Sequence, residues 1–252
     1  IGLIVFVAAF SLVQILMPDK YEKVVQEIVS ELKIEDKELI SEIRTFVKSN
    51  WEIFEQEKIE EEKKNNAKKA VPEIEVKENP IAEIEIEGFG KMKFELFAND
   101  APQSVYNFIK LANSKFYDGL IMHRLVKDFV IQGGDPKGNG SGGPGYSIQG
   151  EFLNNGILND NKHEIGTIAF ARSQDKNSAG SQVYIVTGEN GTGERMSSDY
   201  AAFGKITSGM EVLKKLNEQK VGNNEMPKTK IKIKSIRVDT KGIKYPSVKK
   251  IQ

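Results

Sequence analysis

Short runs in which apolar and polar residues alternate dominate the chain from residue 81 onward. In residues 81–87 the apolar side chains alternate with acids, and the alternation resumes at Met92, Phe94 and Leu96 after a Gly-Phe-Gly turn. Further short apolar segments follow at 166–171, 182–187, 201–206 and 231–238. Alternation with a period of two is typical of half-buried strands, so the pattern predicts many short strands with an antiparallel opening pair.

Helical periodicity appears in two isolated places among these strands. One apolar face follows Pro102, which suits the first turn of a helix, and another runs through Met210, Leu213 and Leu216. Many short strands with two separate helices favour a sandwich or a barrel over repeated βαβ units. We therefore predict an all-β closed barrel.

Residues 18–70 show a different pattern, with apolar residues at helical spacing on a polar background. One set runs from Val24 to Leu32 and a second from Leu39 to Phe54, with Asp36 as a plausible N-cap after a break at 34–37. We predict two amphipathic helices. They can pack as a hairpin, associate with a second copy or another partner, or cover the following domain.

The helical segment ends in a run of charged residues that leads into residues 71–80. Two prolines bracket these residues, and we interpret them as an extended linker.

The first 17 residues are apolar apart from Ser11 and Gln14, and Pro18 follows them. This length is near the lower limit for a membrane span, and no small-x-small cleavage site precedes Pro18. We expect an uncleaved signal anchor rather than a cleaved signal peptide or a buried core helix. The barrel would then lie outside the cytoplasm on a single-pass membrane protein, or be secreted if the segment is cleaved.

Composition narrows the chemistry. The 252 residues carry 36 basic and 36 acidic side chains, so no basic surface for nucleic acid is expected. No cysteine is present and there are two histidines, His123 and His163, which excludes a thiolate nucleophile and argues against a metal centre.

Two local motifs resemble catalytic ones but favour simpler interpretations. Gly138, Gly140 and Gly143 match the spacing of a dinucleotide-binding loop, yet Pro144 follows and no helix pattern begins there. We interpret this as a structural glycine-rich loop. His123 precedes Arg124, but no activated serine or carboxylate pair supports a hydrolytic site, so a structural histidine beside a functional arginine is favoured.

The stretch from Met122 to Asp135, MHRLVKDFVIQGGD, resembles the signature of the cyclophilin-type peptidyl-prolyl isomerases. Other segments that resemble the family occur in the same order along residues 81–240: APQSVYNF, FYDG, GGPGY, Glu151-Phe152, GTIAFAR, NSAGSQ and Ala202-Phe203-Gly204. Residues 1–80 show no such resemblance. The domain is therefore expected at 81–240, with a tail at 241–252.

The resemblance implies a closed eight-stranded antiparallel barrel capped by two helices, with a proline pocket on its outer face and no cofactor. It assigns Arg124 as the catalytic guanidinium, with Gln132 and Phe129 beside it. Ala171 and Arg172 would present backbone to the residue before proline, and Gln182 would support the arginine. The pocket wall and rim would be formed by Phe129, Val130, Tyr184, Met196 and Tyr200. Leu125 and Ile131 should point into the barrel.

The resemblance implies isomerisation of Xaa-Pro bonds in proline-containing polypeptides. The expected signal anchor adds that these polypeptides would be exported proteins during their folding. The alternative is a chaperone or scaffold module that binds proline segments with little turnover. The chain departs from the family in lacking a tryptophan at the rim, so weak binding of the family's cyclic-peptide inhibitor is expected. Arg172 also adds a charge that would favour acidic residues before proline.

Overall fold

The computed structural model describes residues 21–251. The chain divides into two compact units, with the boundary after Asn65, and each is described here by itself.

The first unit is a pair of helices, α1 (Tyr21–Glu31) and α2 (Lys37–Asn66). Asp36 accepts hydrogen bonds from the backbone N–H groups of Glu38 and Leu39 at 2.8 and 3.1 Å, which caps α2 where the sequence predicted it. The apolar faces of the two helices form one cluster: Val24, Val25, Ile28, Ile43, Val47 and Trp51. Of the three arrangements considered, the hairpin is thus present within the chain.

The second unit is built mainly from strands. They are β1 (Lys68–Lys69), β2 (Ile81–Ile86), β3 (Gly90–Leu96), β4 (Ile121–Val126), β5 (Val130–Gly133), β6 (Ser147–Ile148), β7 (Ile157–Leu158), β8 (Thr167–Phe170), β9 (Val183–Val186), β10 (Ala202–Ser208), β11 (Ile231–Asp239) and β12 (Lys250–Ile251). Its helices are α3 (Pro102–Asn113), α4 (Glu194–Asp199) and α5 (Met210–Asn217).

Eight of these strands close into a barrel in the order β10-β3-β2-β11-β4-β5-β9-β8, with all neighbours antiparallel. Inward side chains such as Phe94, Ile131 and Phe203 form one core with the buried faces of α3 and α5. The predicted closed eight-stranded barrel is confirmed, and α3 and α5 are the two helices that the sequence predicted.

The segments on either side of the predicted isomerase domain pack against the barrel. Val76 is buried in the barrel core, and its backbone N–H and C=O both bond the side chain of Asn99, at 3.0 and 2.9 Å. Val248 is also buried there, and β12 pairs with β6. Residues 71–80 are therefore not a free tether, because an apolar residue and two backbone hydrogen bonds fix the segment to the barrel.

The predicted signal anchor at 1–17 lies outside the described residues. Between residues 21 and 251, no helix combines the length and the apolar character that crossing a bilayer requires.

Candidate active site

The hairpin of β4 and β5 divides its side chains between two faces. Leu125 and Ile131 belong to the barrel core, whereas Val130 belongs to a separate apolar cluster. Successive side chains of a strand point to opposite faces of a sheet, so the second cluster lies on the outside of the barrel. This is the orientation that the sequence predicted for these residues.

The outer cluster spans four neighbouring strands, β5, β9, β8 and β10, and includes residues of α4 and of the segment that joins α4 to β10. Its fully buried members are Val130, Ala169, Tyr184, Val186 and Ala202, and Phe129, Ala171, Met196 and Tyr200 pack against them while remaining partly exposed. Every residue that the sequence assigned to the pocket wall and rim is present in this cluster. An apolar surface whose partly exposed rim includes two aromatic rings can hold a compact apolar ring.

Tyr184 forms the floor of the cluster, and contacts with His163 and Tyr200 hold its side chain in place. Its hydroxyl lies 2.8 Å from Nε2 of His163, and its ring meets Tyr200 edge-on at a centroid distance of 5.7 Å. Burial raises the pKa of the Tyr184 hydroxyl well above its ordinary value and lowers the pKa of His163 to about 4. Both side chains are therefore neutral near pH 7. The hydrogen bond to His163 satisfies the Tyr184 hydroxyl, which is the polar group of this surface.

Arg124 lies directly across from Gln132 in the β4–β5 register. Its Nε donates a hydrogen bond to Oε2 of Glu225 at 2.6 Å, and this is the ion pair that Arg124 forms within the part of the chain described. About a third of the Arg124 side chain and about half of the Glu225 side chain are exposed, at 35% and 47%. The guanidinium is thus held at the surface beside the apolar cluster.

Glu225 sits at the tip of a loop between α5 and β11. Asn224 and Glu225 both have left-handed backbone conformations, each with a φ of 59°. Such a conformation strains residues other than glycine and persists where the surroundings fix it. The loop is closed below the tip, where the N–H of Gly222 bonds the C=O of Met226 at 2.8 Å. Sequence reasoning missed Glu225, because nothing in its local pattern signals a contact with Arg124.

Gln132 and Gln182 connect Arg124's strand pair to the glycine-rich loop. Nε2 of Gln132 donates to Oε1 of Gln182 at 2.9 Å, and Nε2 of Gln182 donates to the carbonyls of Gly140 and Gly142, each at 2.9 Å. The expected support of Arg124 by Gln182 is therefore not a direct bond. Gln182 instead fixes Gln132, which lies opposite Arg124.

The glycine-rich loop is structural, as the sequence predicted. Asp135 accepts hydrogen bonds from the N–H groups of Lys137, Asn139 and Gly140 at 2.7, 3.0 and 2.6 Å. Burial opposes ionisation of Asp135, but these backbone donors outweigh it and hold the pKa of the carboxyl below its usual value. No helix begins in this loop within the described chain.

A groove of about 540 Å³ runs from Gln132 and Ala171 along this loop to Tyr146. It adjoins the outer apolar cluster through Ala171, which belongs to both. The site therefore has two compartments, an apolar one and a polar groove lined largely by glycines and serines.

Arg172 lies at the junction, where its guanidinium packs against two aromatic rings and donates two hydrogen bonds. Its guanidinium carbon stands 5.1 Å from the ring centroid of Phe152 and 4.8 Å from that of Tyr200. Nε donates to the carbonyl of Asp199 at 2.9 Å, and the side chain is 14% exposed. These contacts leave fewer Arg172 donors for an acidic residue before proline, and that preference stays a prediction.

Both histidines are buried. His123 has neither ring nitrogen bonded within the described residues, and burial lowers its pKa, which fits the structural role predicted for it. His163 was not assigned a role from the sequence. The signal for it was the tyrosine at position 184, since a buried hydroxyl needs a partner.

Comparison with known proteins identifies the family. Residues 81–238 match the family model for cyclophilin type peptidyl-prolyl cis-trans isomerase. The chain belongs to this family. It is 42% identical over 132 residues to peptidyl-prolyl cis-trans isomerase B of Bacillus subtilis, covering 52% of this chain and 87% of that protein.

Other relatives agree. The Dictyostelium discoideum isomerase cypE is 39% identical over 144 residues, covering 57% of this chain and 88% of the relative. A cyclophilin crystal structure from Cryptosporidium parvum, determined in the presence of the dipeptide Ala-Pro, superposes with a TM-score of 0.57 at 31% identity. That match covers 64% of this chain and 99% of the other. The protein is thus a cyclophilin-type peptidyl-prolyl cis-trans isomerase, and the predicted family and enzyme class are confirmed.

Proposed function

We propose that this cyclophilin isomerises Xaa-Pro bonds by placing the proline ring on the outer apolar cluster and the Arg124 guanidinium at the prolyl amide. The observation that carries the proposal is the adjacency of the two parts. Val130 of the cluster and Gln132 opposite Arg124 are two residues apart on the same short strand, β5. The Ala-Pro dipeptide in the presence of which the Cryptosporidium parvum relative was crystallised supports a ligand of this chemistry.

The chemistry follows from the electronic structure of the amide. Rotation breaks the amide resonance, at a barrier of about 18–20 kcal/mol. In the twisted transition state the prolyl nitrogen recovers a lone pair that can accept a hydrogen bond. A guanidinium donor therefore interacts more strongly with the transition state than with the planar ground state, which is the condition for catalysis.

The apolar cluster supplies the second contribution. Phe129, Met196 and Tyr200 surround a floor in which the Tyr184 hydroxyl is already bonded to His163. A proline ring placed on this surface would exclude water from the amide, and the planar amide is more polar than the twisted one. Removing water therefore disfavours the ground state and lowers the barrier. No cofactor or covalent intermediate enters this mechanism.

Replacing the arginine tests the mechanism. Arg124→Ala is expected to lower kcat/KM on an Xaa-Pro peptide by about 100-fold or more, because the transition state loses its charged donor. Arg124→Lys keeps the charge but loses the fixed geometry of the guanidinium, so it should recover little. Arg44→Ala, in the helical pair, is the matched control. Equal rates for Arg124→Ala and the unmodified protein, with unchanged circular dichroism spectra, would rule the mechanism out.

A second function, binding of proline segments with little turnover, is favoured by one observation. The guanidinium that should act on the amide forms an ion pair with Glu225. In a binding module, the substitution Arg124→Ala would change neither the affinity for proline peptides nor their isomerisation rate. NMR exchange spectroscopy on a bound peptide measures both quantities in one sample.

We further propose that the clients are exported proteins. This rests on the apolar segment at 1–17, which we interpret from its sequence as a signal anchor. Protease treatment of intact cells tests it, since an extracytoplasmic barrel is digested and a cytoplasmic one is protected until lysis.

A further inference from the structure

Tyr146 lines the groove and is not a member of the outer apolar cluster. Its hydroxyl donates a hydrogen bond to Oδ1 of Asn107 at 2.8 Å, and Nδ2 of Asn107 donates to the carbonyl of Gly180 at 2.6 Å. Gly180 and Tyr146 both line the groove. The ring of Tyr146 is therefore held in a fixed position in the groove wall.

Two lysines from different parts of the fold converge on this ring. Nζ of Lys110, from α3, lies 5.0 Å from the ring centroid, and Nζ of Lys250, from β12, lies 4.4 Å from it. The pairing of β12 with β6 sets the position of Lys250, since Lys250 lies opposite Ile148 in that register. One positive charge at this ring therefore comes from Lys110 of α3, and the C-terminal tail adds a second, that of Lys250.

The two ammonium groups have no acidic partner among residues 21–251. By contrast, the adjacent Lys249 forms an ion pair with Glu73 at 3.2 Å. The pKa of Lys110 is lowered by burial and by the nearby charge and contact of Lys250. Two like charges held together over one aromatic ring repel each other, and an anion placed between them would remove the repulsion.

We propose that Lys110 and Lys250, over Tyr146, form a subsite for the carboxylate side chain of an acidic residue that precedes proline in the client. The inference rests on the proposed isomerase function and adds a sequence preference to it. The upstream direction follows from Ala171, which belongs to both the apolar cluster and the groove, and whose backbone, as the family resemblance implies, would meet the residue before proline. The groove would therefore bind the client residues that precede the proline.

The same geometry moves the source of charge selectivity away from Arg172. That guanidinium donates to the carbonyls of Asp199 and Ser173 and lies against two aromatic rings, so it has little left to offer a client carboxylate. Both lysines are exposed, and exposed ion pairs contribute little individually. Two of them acting on one carboxylate should give a preference of about three- to tenfold at low salt.

Paired peptides test the subsite on the full chain. Each pair carries Glu or Gln at the second, third or fourth residue before proline and is otherwise identical. At one of these positions the Glu peptide is expected to have about three- to tenfold higher kcat/KM. Raising the salt from about 20 mM to about 500 mM should remove most of the difference, because exposed charges are screened.

Substitutions assign the preference to the two lysines. Lys110→Gln and Lys250→Gln should each reduce the Glu preference, and the double variant should abolish it, while kcat/KM for the Gln peptides stays unchanged. Lys249→Gln removes the same charge from the neighbouring residue and should retain the preference. Equal rates for Glu and Gln peptides at all three positions, or a preference that survives in the double variant, would overturn the subsite and leave the isomerase intact. Absence of turnover on every peptide would overturn both.

Discussion

At the scale of single residues, the contact between Arg124 and Glu225 has the most direct consequence for activity. The carboxylate lies 2.6 Å from the guanidinium and offsets part of the positive charge that the twisted amide would meet. An exposed pair of this kind contributes about 0.2–1 kcal/mol. Glu225→Gln is therefore expected to raise kcat/KM by about two- to fivefold at low salt, and less at high salt.

Steady-state assays at two salt concentrations measure this effect. Glu218→Gln is the matched control, since Glu218 is also an exposed acid and pairs with Lys127 at 3.4 Å. A fall in kcat with KM unchanged would mean instead that Glu225 orients the guanidinium for catalysis.

Tyr184 and His163 give a second prediction, on stability. Tyr184→Phe leaves the pocket ring in place but removes the partner of a buried imidazole nitrogen. Leaving a buried polar group unbonded costs about 1–3 kcal/mol, so the free energy of unfolding should fall by that amount while kcat/KM stays within about twofold. Urea denaturation measures the loss.

The single variant His163→Leu and the double variant that combines it with Tyr184→Phe test the cause of that loss. Removing both polar partners is less costly than removing one, so the double variant should recover part of the stability. Purely additive losses in this double-mutant cycle would show that the hydrogen bond contributes nothing.

These residues also show where sequence reasoning stops. Phe129, Val130 and Tyr184 were identifiable because they belong to a local motif with strand periodicity and a family resemblance. Glu225, Lys110 and Lys250 were not, because their roles depend on contacts between segments far apart in sequence, such as the 101 residues between Arg124 and Glu225. A charged residue in an exposed loop is compatible with many partners until the fold selects one.

At the scale of secondary structure, the N-terminus of α3 is capped from a distance. Ala101, at the N-cap position, has no side chain able to accept a hydrogen bond. Glu151 takes this role: its carboxylate accepts bonds from the N–H groups of Gln103 and Ser104 at 2.9 and 2.8 Å, and from the Ser104 hydroxyl at 2.7 Å. Burial nevertheless raises the pKa of Glu151 to about 7.

This shift makes stability depend on pH. A carboxyl whose pKa is higher in the folded state than in the unfolded chain binds more protons when folded, so the folded state loses stability as pH rises. The loss should begin near the unfolded value of 4.5 and be complete above about 7. His163 acts in the opposite direction between about 4 and 6.5, because its pKa is lowered on folding.

Comparison with Glu151→Gln isolates the contribution of Glu151. The unfolding free energy of the unmodified protein, minus that of the variant, is expected to fall between pH 4.5 and 7 and to be flat outside that window. Chemical denaturation at a series of pH values measures it. A difference that stays constant with pH would show that Glu151 is charged in the folded protein throughout this range.

The length of an element also decides whether the sequence reveals it. The strands of the barrel contain four to nine residues, so the sequence revealed them as short apolar or alternating segments. Strands β1, β6, β7 and β12 contain two residues each, too few for a period to be visible. The pairing of β12 with β6, which places Lys250 in the proposed subsite, was therefore outside the reach of pattern reasoning.

At the scale of the whole molecule, the helical pair and the barrel each have their own apolar cluster. The predicted boundaries treat residues 71–80 as a linker and begin the isomerase domain at 81. The burial of Val76 and its two bonds to Asn99 indicate that the stable unit begins earlier.

Two truncations distinguish these boundaries. Removing residues 1–66 should leave the unfolding free energy of the barrel unchanged and its kcat/KM within about twofold of the full chain, because that cut spares the barrel core. Removing residues 1–80 also removes Val76 and both of its backbone hydrogen bonds. Burial of a valine side chain contributes about 1.5–3 kcal/mol, so the shorter protein should be less stable by about that amount while its apolar cluster and Arg124 stay in place. Thermal and urea denaturation measure the stabilities of the two truncated proteins. Activity is measured about 10 °C below the lower of the two thermal unfolding midpoints. Equal stabilities would confirm the boundary at residue 81, and a loss of activity on removal of residues 1–66 would show that the helical pair contributes to the site.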